Sequence, residues 1–403
     1  MTAQQPKTIL CIASYEKGHE FMREAKRQGW RVFLLTSQSI ADADWPRESL
    51  DDIFLIPDEN KVWKMDDMIK GVSYLARRIE IDRVVALDDF DLEKAAALRE
   101  HLRVPGMGDT TTRYFRDKLA MRVQAKDYGI RVPDFVHALN YAKIQQYLDT
   151  VPGPWMLKPR SEASSLGIKK INHAHEVWPV LEQLGDRQSY YVLERFIPGD
   201  VYHVDSIVSE RKVVFAKAHR YGHPPFEVAH AGGIFTSRSL EHGCQLEQEL
   251  LAENAKVLAA MGLVRGVAHT EFIKAYEDGQ IYFVETAARV GGAHIVDLIE
   301  AAHGVNLWAE WAKIETSPDW SYQLPPIRND YGGLIISLAR YEKPDTSLYN
   351  DPEIVWRLNK PYHVGFVVRS SSLDRVEQLL KVYTERFLND FYAFQPAPDR
   401  PTS

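Results

Sequence analysis

Residues 267–292 read VAHTEFIKAYEDGQIYFVETAARVGG. Two apolar runs, 267–275 and 281–287, flank the turn residues Glu277-Asp278-Gly279, which is the pattern of a β-hairpin. Each strand carries one carboxylate, Glu271 in the first and Glu285 in the second. Strand alternation puts Glu271 and Ile273 on one face, and Glu285, Ala287 and Arg289 likewise. Two carboxylates facing one cleft repel each other unless a cation sits between them. Mg²⁺ is typically held by one or two carboxylates together with phosphate oxygens. Arg289 adds a planar, permanently charged donor, and Gly291-Gly292 adds backbone N–H groups. Two solvated glutamates on an edge hairpin fit the spacing equally well.

Upstream, the first hundred residues alternate strand and helix. Runs 8–13 (TILCIA), 31–35 (RVFLL) and 83–87 (RVVAL) read as buried strands. Residues 19–28, 65–79 and 91–102 have helical spacing. This alternation predicts a parallel sheet with helices on both faces. The first strand is followed by Ser14-Tyr15-Glu16-Lys17-Gly18 rather than G-x-G-x-x-G, so no dinucleotide site is indicated there. Val104-Pro105-Gly106 breaks the pattern. One helix is then expected over 110–128, followed by a strand at 132–137 and a helix at 141–148. Strands follow at 155–158, 167–171, 190–197, 201–208 and 213–219, with helices at 248–261 and 295–302. Beyond 331, strands at 333–339 and 363–368 precede a helix at 373–388 and a Pro-rich tail at 396–403.

The bulk numbers are those of an ordinary globular protein. The 403 residues allow about two to four domains. Apolar residues make up 45% and charged ones 26%. With 56 acidic and 49 basic residues the net charge is −7, which gives no reason to expect nucleic acid or an anionic membrane as partner. Only Cys11 and Cys244 are present, far apart, which argues against a disulfide framework or a Cys-rich zinc site. The N-terminus reads as no signal peptide, and no run is long enough for a membrane span. A cytoplasmic enzyme is the expectation.

Two further constellations could carry chemistry. Met156-Leu157-Lys158-Pro159-Arg160 ends an apolar strand in a lysine. The small-residue loop 161–167 after it could wrap phosphates with N–H and hydroxyl donors; an ordinary turn is the plainer reading. In Tyr191-Val192-Leu193-Glu194-Arg195-Phe196-Ile197-Pro198-Gly199, a strand passes into a linker. Such an edge can present backbone groups to an adenine, with Glu194 accepting from its amino group. A plain strand connection is the alternative.

These three constellations, in this order, resemble the ATP-grasp superfamily over about residues 1–390. The resemblance implies an N-terminal parallel-sheet α/β domain at 1–106. An ATP-grasp domain of two α+β subdomains would follow at 107–325, with its hinge near 190–200. A small C-terminal α+β subdomain would close the chain at 326–403, a plan similar to that of biotin carboxylases. By that resemblance Lys118, within Arg116-Asp117-Lys118, is the first nucleotide-phosphate lysine and Lys158 the second. The loop 161–167, with Ser164 and Ser165, is the flap over the phosphates. Glu194, Arg195, Phe196 and Ile197 form the adenine hinge. Glu271 and Glu285 are the Mg²⁺ (or Mn²⁺) carboxylates. Arg289 holds the substrate carboxylate or acyl phosphate, with Gly291 and Gly292 beside it.

Three departures stand out. The family's E-x-N-x-R reads Glu285-Thr286-Ala287-Ala288-Arg289, so Ala287 removes a metal ligand. The ribose-binding acid has Val201 at its nearest match, leaving Asp200, His203 or Asp205. The R-x-x-x-E-H and polyglycine of biotin carboxylases are absent, since the chain reads Arg289-Val290-Gly291-Gly292-Ala293-His294. The Arg-x-Gly-Gly run looks more like the amino-acid and peptide ligases. The implied function is an ATP-dependent carboxylate–amine ligase that takes small-molecule acid and amine substrates and releases ADP and phosphate. A carboxylase-like or other phosphorylating enzyme is the alternative, and a non-catalytic nucleotide-binding regulator is the second. A homodimer is compatible with either.

Other polar features have local readings. His219 and His223 have metal-like spacing, but on a strand and loop rather than a helix. With His230 they fit substrate contact better. Asp88-Asp89 either face a cleft at a strand's carboxyl end or cap the helix that follows. His294 serves as donor, base or structural residue equally well. No serine sits in a G-x-S-x-G elbow.

Overall fold

The computed structural model describes residues 6–162, 166–317 and 321–395. The N-terminal sheet is parallel throughout, in the order Asp52–Ile56, Arg31–Ser37, Thr8–Ala13, Arg83–Ala86. Thr8–Ala13 is buried along its whole length, as a central parallel strand covered on both faces must be. The edge strand Asp52–Ile56 (DIFLI) carries a short apolar run at 53–56 that the sequence reading passed over.

Helix Leu307–Thr316 fastens this sheet to the rest of the molecule. It packs on helix His19–Arg27, with the rings of Phe21 and Trp311 edge to face at 5.1 Å. Trp30 Nε1 donates to the carbonyl of Thr316 at 3.2 Å.

The expected helix over 110–128 is two helices, Asp109–Arg113 and Lys118–Asp127. Asp117 interrupts it. Its backbone is extended, and its side chain accepts from the N–H groups of Leu119 and Ala120 at 3.0 and 3.3 Å. An aspartate that caps new N–H groups competes with continuation of the old helix. The break places Lys118 in a first turn, beside the cleft described below.

A small antiparallel sheet follows, in the order Phe135–His137, Tyr191–Arg195, Trp155–Pro159, Lys169–Ile171. Helices Tyr141–Thr150 and Val177–Leu184 share its apolar core, which includes Ile144, Leu157, Val177 and Leu193. The largest sheet has eight strands, all antiparallel: Ile281–Ala287, Gly266–Ala275, Gly199–Ser209, Lys212–Tyr221, Phe235–Ser239, Tyr331–Leu338, His363–Ser370, Ile354–Arg357. The strands of segment 326–403 therefore continue this sheet, and helix Leu373–Asp390 covers them. Phe235–Ser239 (FTSRS) joins the two halves and has no apolar alternation to betray it. Among the described residues, no helix is long and apolar enough to cross a membrane.

Candidate active site

The small sheet and the near end of the eight-stranded sheet enclose a cleft of about 510 Å³. The hairpin supplies one wall. Glu271 and Glu285 are direct register partners across its two strands, with an irregularity between Glu271 and Phe272. Their side chains are 16% and 35% exposed, so they line a cleft rather than a solvated surface.

Each glutamate has a counter-group. Tyr221 Oη donates to Oε1 of Glu271 at 2.9 Å, and His269 Nε2 lies 3.5 Å from the same oxygen. Lys118 Nζ lies 3.1 Å from Oε2 of Glu285 and donates to the carbonyl of Glu162 at 2.7 Å. Burial disfavours ionisation of Glu285. Lys118, and then Lys158 and Arg122, outweigh it and hold the carboxyl down to about 2. One oxygen of each glutamate is left without a hydrogen-bond partner among the described residues. Two carboxylates in register, each with an oxygen to spare, match the donor set that a divalent cation takes.

Glu194 has partners that its hinge position does not reveal. It lies at the hinge, but its carboxylate is 1% exposed and already committed. Arg122 Nε is 2.9 Å from Oε1 and Lys158 Nζ is 2.8 Å from Oε2. Burial would raise its pKa, yet the two cations bring it down to about 2. It holds Lys158 at the cleft, which it also borders. Arg122, fully buried, is a member of the site that the sequence reading missed.

The other hinge residues border the cleft. Arg195 pairs with Glu277 on the hairpin turn. The N–H of Phe196 donates to the carbonyl of Pro154 at 2.9 Å, and the Lys170 ammonium lies 3.9 Å from the centre of its ring. Ile197 is 8% exposed. Ser164 and Ser165 lie outside the described residues; Glu162 and Leu166 on either side border the cleft.

Of the three ribose candidates, only Asp200 reaches the cleft. It bonds Arg220 Nη2 at 2.8 Å and Tyr276 Oη at 2.9 Å. His203 and Asp205 do not reach it, because both are fully buried. His203 Nδ1 is 2.6 Å from Asp205 Oδ2, and its Nε2 is 2.7 Å from Ser237 Oγ, which leaves no free ring nitrogen for a sugar.

Asp205 also bonds His269 Nδ1 at 2.9 Å through its other oxygen. It is paired with His269 in register across neighbouring strands, a juxtaposition that no single segment shows. Burial opposes charge on His269, but Asp205 and Glu271 raise its pKa to about 9. His269 also stands opposite Ala287. Gly291 covers this cluster. A Cβ there would sit 2.9 Å from Asp205 Oδ1 and 3.0 Å from His269 Nδ1, so only glycine allows the close approach. Gly292 is exposed, with nothing crowding it.

Arg289 reaches across to the N-terminal sheet. Its Nε and Nη2 both lie 2.7 Å from Asp89 Oδ2, and it stays charged because Asp89 outweighs the effect of burial. Asp88, next to it, accepts from the N–H of Phe90 at 3.1 Å and pairs with Lys17. So Asp88 caps, and Asp89 faces Arg289. The histidines of metal-like spacing do not converge. His219 is fully buried, with neither ring nitrogen hydrogen-bonded, and stacks on His203. His223 borders the cleft, and His230 lies on the short helix Pro225–Ala231. His294 bonds Asp297 Oδ2 at 2.9 Å.

Two antiparallel sheets close here on paired glutamates and two lysines, and residues 151–297 match the ATP-grasp domain family. The chain is similar to the L-arginine-specific L-amino acid ligase of Bacillus subtilis, at 22% identity over 70% of this chain and 68% of the relative. It has the fold of L-amino acid ligase from Bacillus licheniformis, with a TM-score of 0.75 and 18% identity over 98% of this chain and 100% of that one. N5-Carboxyaminoimidazole synthetase from Staphylococcus aureus, complexed with ADP, superposes with a TM-score of 0.70 at 17% identity, covering 93% of this chain and 96% of that chain.

Proposed function

We propose that the protein is an ATP-dependent carboxylate–amine ligase that activates an amino acid as an acyl phosphate and joins it to an amine. The observation that carries this is the register pairing of Glu271 and Glu285 in one cleft with Lys118 and Lys158. The likeness to amino-acid ligases supports the choice of acid.

Glu271 and Glu285 would hold the Mg²⁺ that accompanies ATP, whose charge offsets that of the phosphates. Lys118 and Lys158 stand where they neutralise the remaining phosphate charge. Asp200, which borders the cleft, would take the ribose. The acid's carboxylate oxygen attacks the γ-phosphorus, the bond to the β–γ bridging oxygen breaks, and ADP leaves. Catalysis of such a step is chiefly positioning and electrostatics. Arg289 would orient the acid's carboxylate, trading Asp89 for substrate. The amine then attacks the acyl carbon and phosphate leaves, with Arg289 and the Gly291-Gly292 N–H groups facing the developing oxyanion.

The test is incubation with Mg²⁺, ATP and paired amino acids, reading ADP, AMP, phosphate and product mass. The expected result is ADP and phosphate in step with a condensed product. AMP release, or ATP turnover indifferent to amino acids, overturns the proposal.

A further inference from the structure

A second cavity, of about 330 Å³, lies where the N-terminal sheet meets the eight-stranded sheet, away from the cleft. Val84, Leu92, Leu263, Val267 and Trp311 give it apolar walls. Four charged residues also line it, Arg99, Arg211, Arg265 and Glu315. Arg99 is 8% exposed and donates only to backbone carbonyls, those of Val84 at 2.8 Å and Met107 at 3.1 Å. Glu315 accepts one long bond, from Trp311 Nε1 at 3.3 Å. Neither forms an ion pair within 4.0 Å among the described residues. Burial raises the Glu315 carboxyl, even with Arg99, Arg83 and Arg265 near it.

Buried ionic groups are ordinarily paired and hydrogen-bonded. Here a guanidinium and a carboxyl border one apolar cavity without meeting, and the cavity is of ligand-pocket size. We propose that this cavity is a second ligand site, for the zwitterion of a free α-amino acid with an apolar side chain. The ligand ammonium would take the Glu315 carboxylate. Its carboxylate would lie toward Arg99, with Arg265 at the same wall, and its side chain against Val84, Leu92 and Trp311. Ala288 also lines the cavity, next in sequence to Arg289, the residue proposed above to hold the acid.

Hydrogen–deuterium exchange on the full chain, without nucleotide, tests this. L-leucine should slow exchange in residues 105–111 and in Leu307–Thr316. Two probes that each lack one charge, 4-methylpentanoic acid and 3-methylbutylamine, should not. Glu315→Gln should raise the half-saturating leucine concentration by about tenfold or more, as loss of a charge-assisted contact does. No protection of these two segments by leucine overturns the proposal. So does equal protection by the acid lacking an amine, a comparison that needs only the unaltered protein.

Discussion

Lys118 Nζ lies 3.1 Å from Oε2 of Glu285. A cation expected to meet phosphate and a carboxylate expected to meet metal thus neutralise each other in the free protein. Nucleotide and Mg²⁺ arriving together would give each its own partner. We expect Glu285→Gln and Lys118→Met each to lower kcat by roughly 10²–10³-fold, the usual loss for one electrostatic element of a preorganised site. Steady-state rates beside thermal unfolding check this. Near-normal rates, or losses explained by unfolding, would remove both residues from the mechanism.

Glu194 sets a pH dependence of stability. Its carboxyl has an ordinary pKa of 4.5 and is held down to about 2 in the fold. The unfolded chain therefore takes up this proton first as pH falls. The contribution is complete above about 4.5 and disappears as pH drops through about 2, and it amounts to about 3 kcal/mol. At pH 7, Glu194→Gln leaves Arg122 uncompensated in the core and should cost roughly 3–5 kcal/mol. Urea unfolding from pH 7 to pH 3 should show the gap between wild type and variant narrowing below about 4.5. A constant gap would mean that Glu194 is not ionised as the geometry requires.

Asp89 and Arg289 are 200 residues apart in sequence and bonded in space. If Arg289 is to hold an acid, Asp89 is its resting partner. Asp89→Asn should then lower the KM for the acid a few-fold, while Arg289→Ala raises it and cuts turnover about 10²-fold or more. Arg289→Lys should not restore it, because an ammonium lacks the planar fork. If Asp89→Asn and Arg289→Ala instead lose stability and activity alike, the pair is only a tie between sheets.

Tyr221 and His269 both contact Glu271, the carboxylate proposed to hold metal, and Asp205 anchors His269. Partners of metal ligands typically matter by 10–100-fold in affinity. Tyr221→Phe and His269→Gln should weaken Mn²⁺ binding in the presence of ADP by about tenfold, read by electron paramagnetic resonance. Unchanged Mn²⁺ affinity with lowered melting temperature would assign them to folding alone.

The hairpin was legible in the sequence because both glutamates sit in short runs with strand alternation and a turn between them. The parallel N-terminal sheet was legible because short continuous apolar runs alternate there with stretches of helical spacing. What escaped depends on pairing between distant segments. Arg122, the partner of Glu194, is an arginine in an ordinary helix. Asp205 and His269 meet only through strand register. His203 matched a ribose position by sequence proximity, while burial excluded it. The break at Asp117 was hidden because an aspartate inside a run of helical spacing does not by itself mark a new cap.

The decisive measurement follows oxygen. An amino acid labelled with ¹⁸O in its carboxylate, turned over with ATP and an amine, should deliver one ¹⁸O into the phosphate released. That transfer occurs only if the carboxylate attacks the γ-phosphorus. Label recovered in AMP, or phosphate carrying none, would contradict an acyl phosphate formed between Arg289 and the Glu271–Glu285 pair.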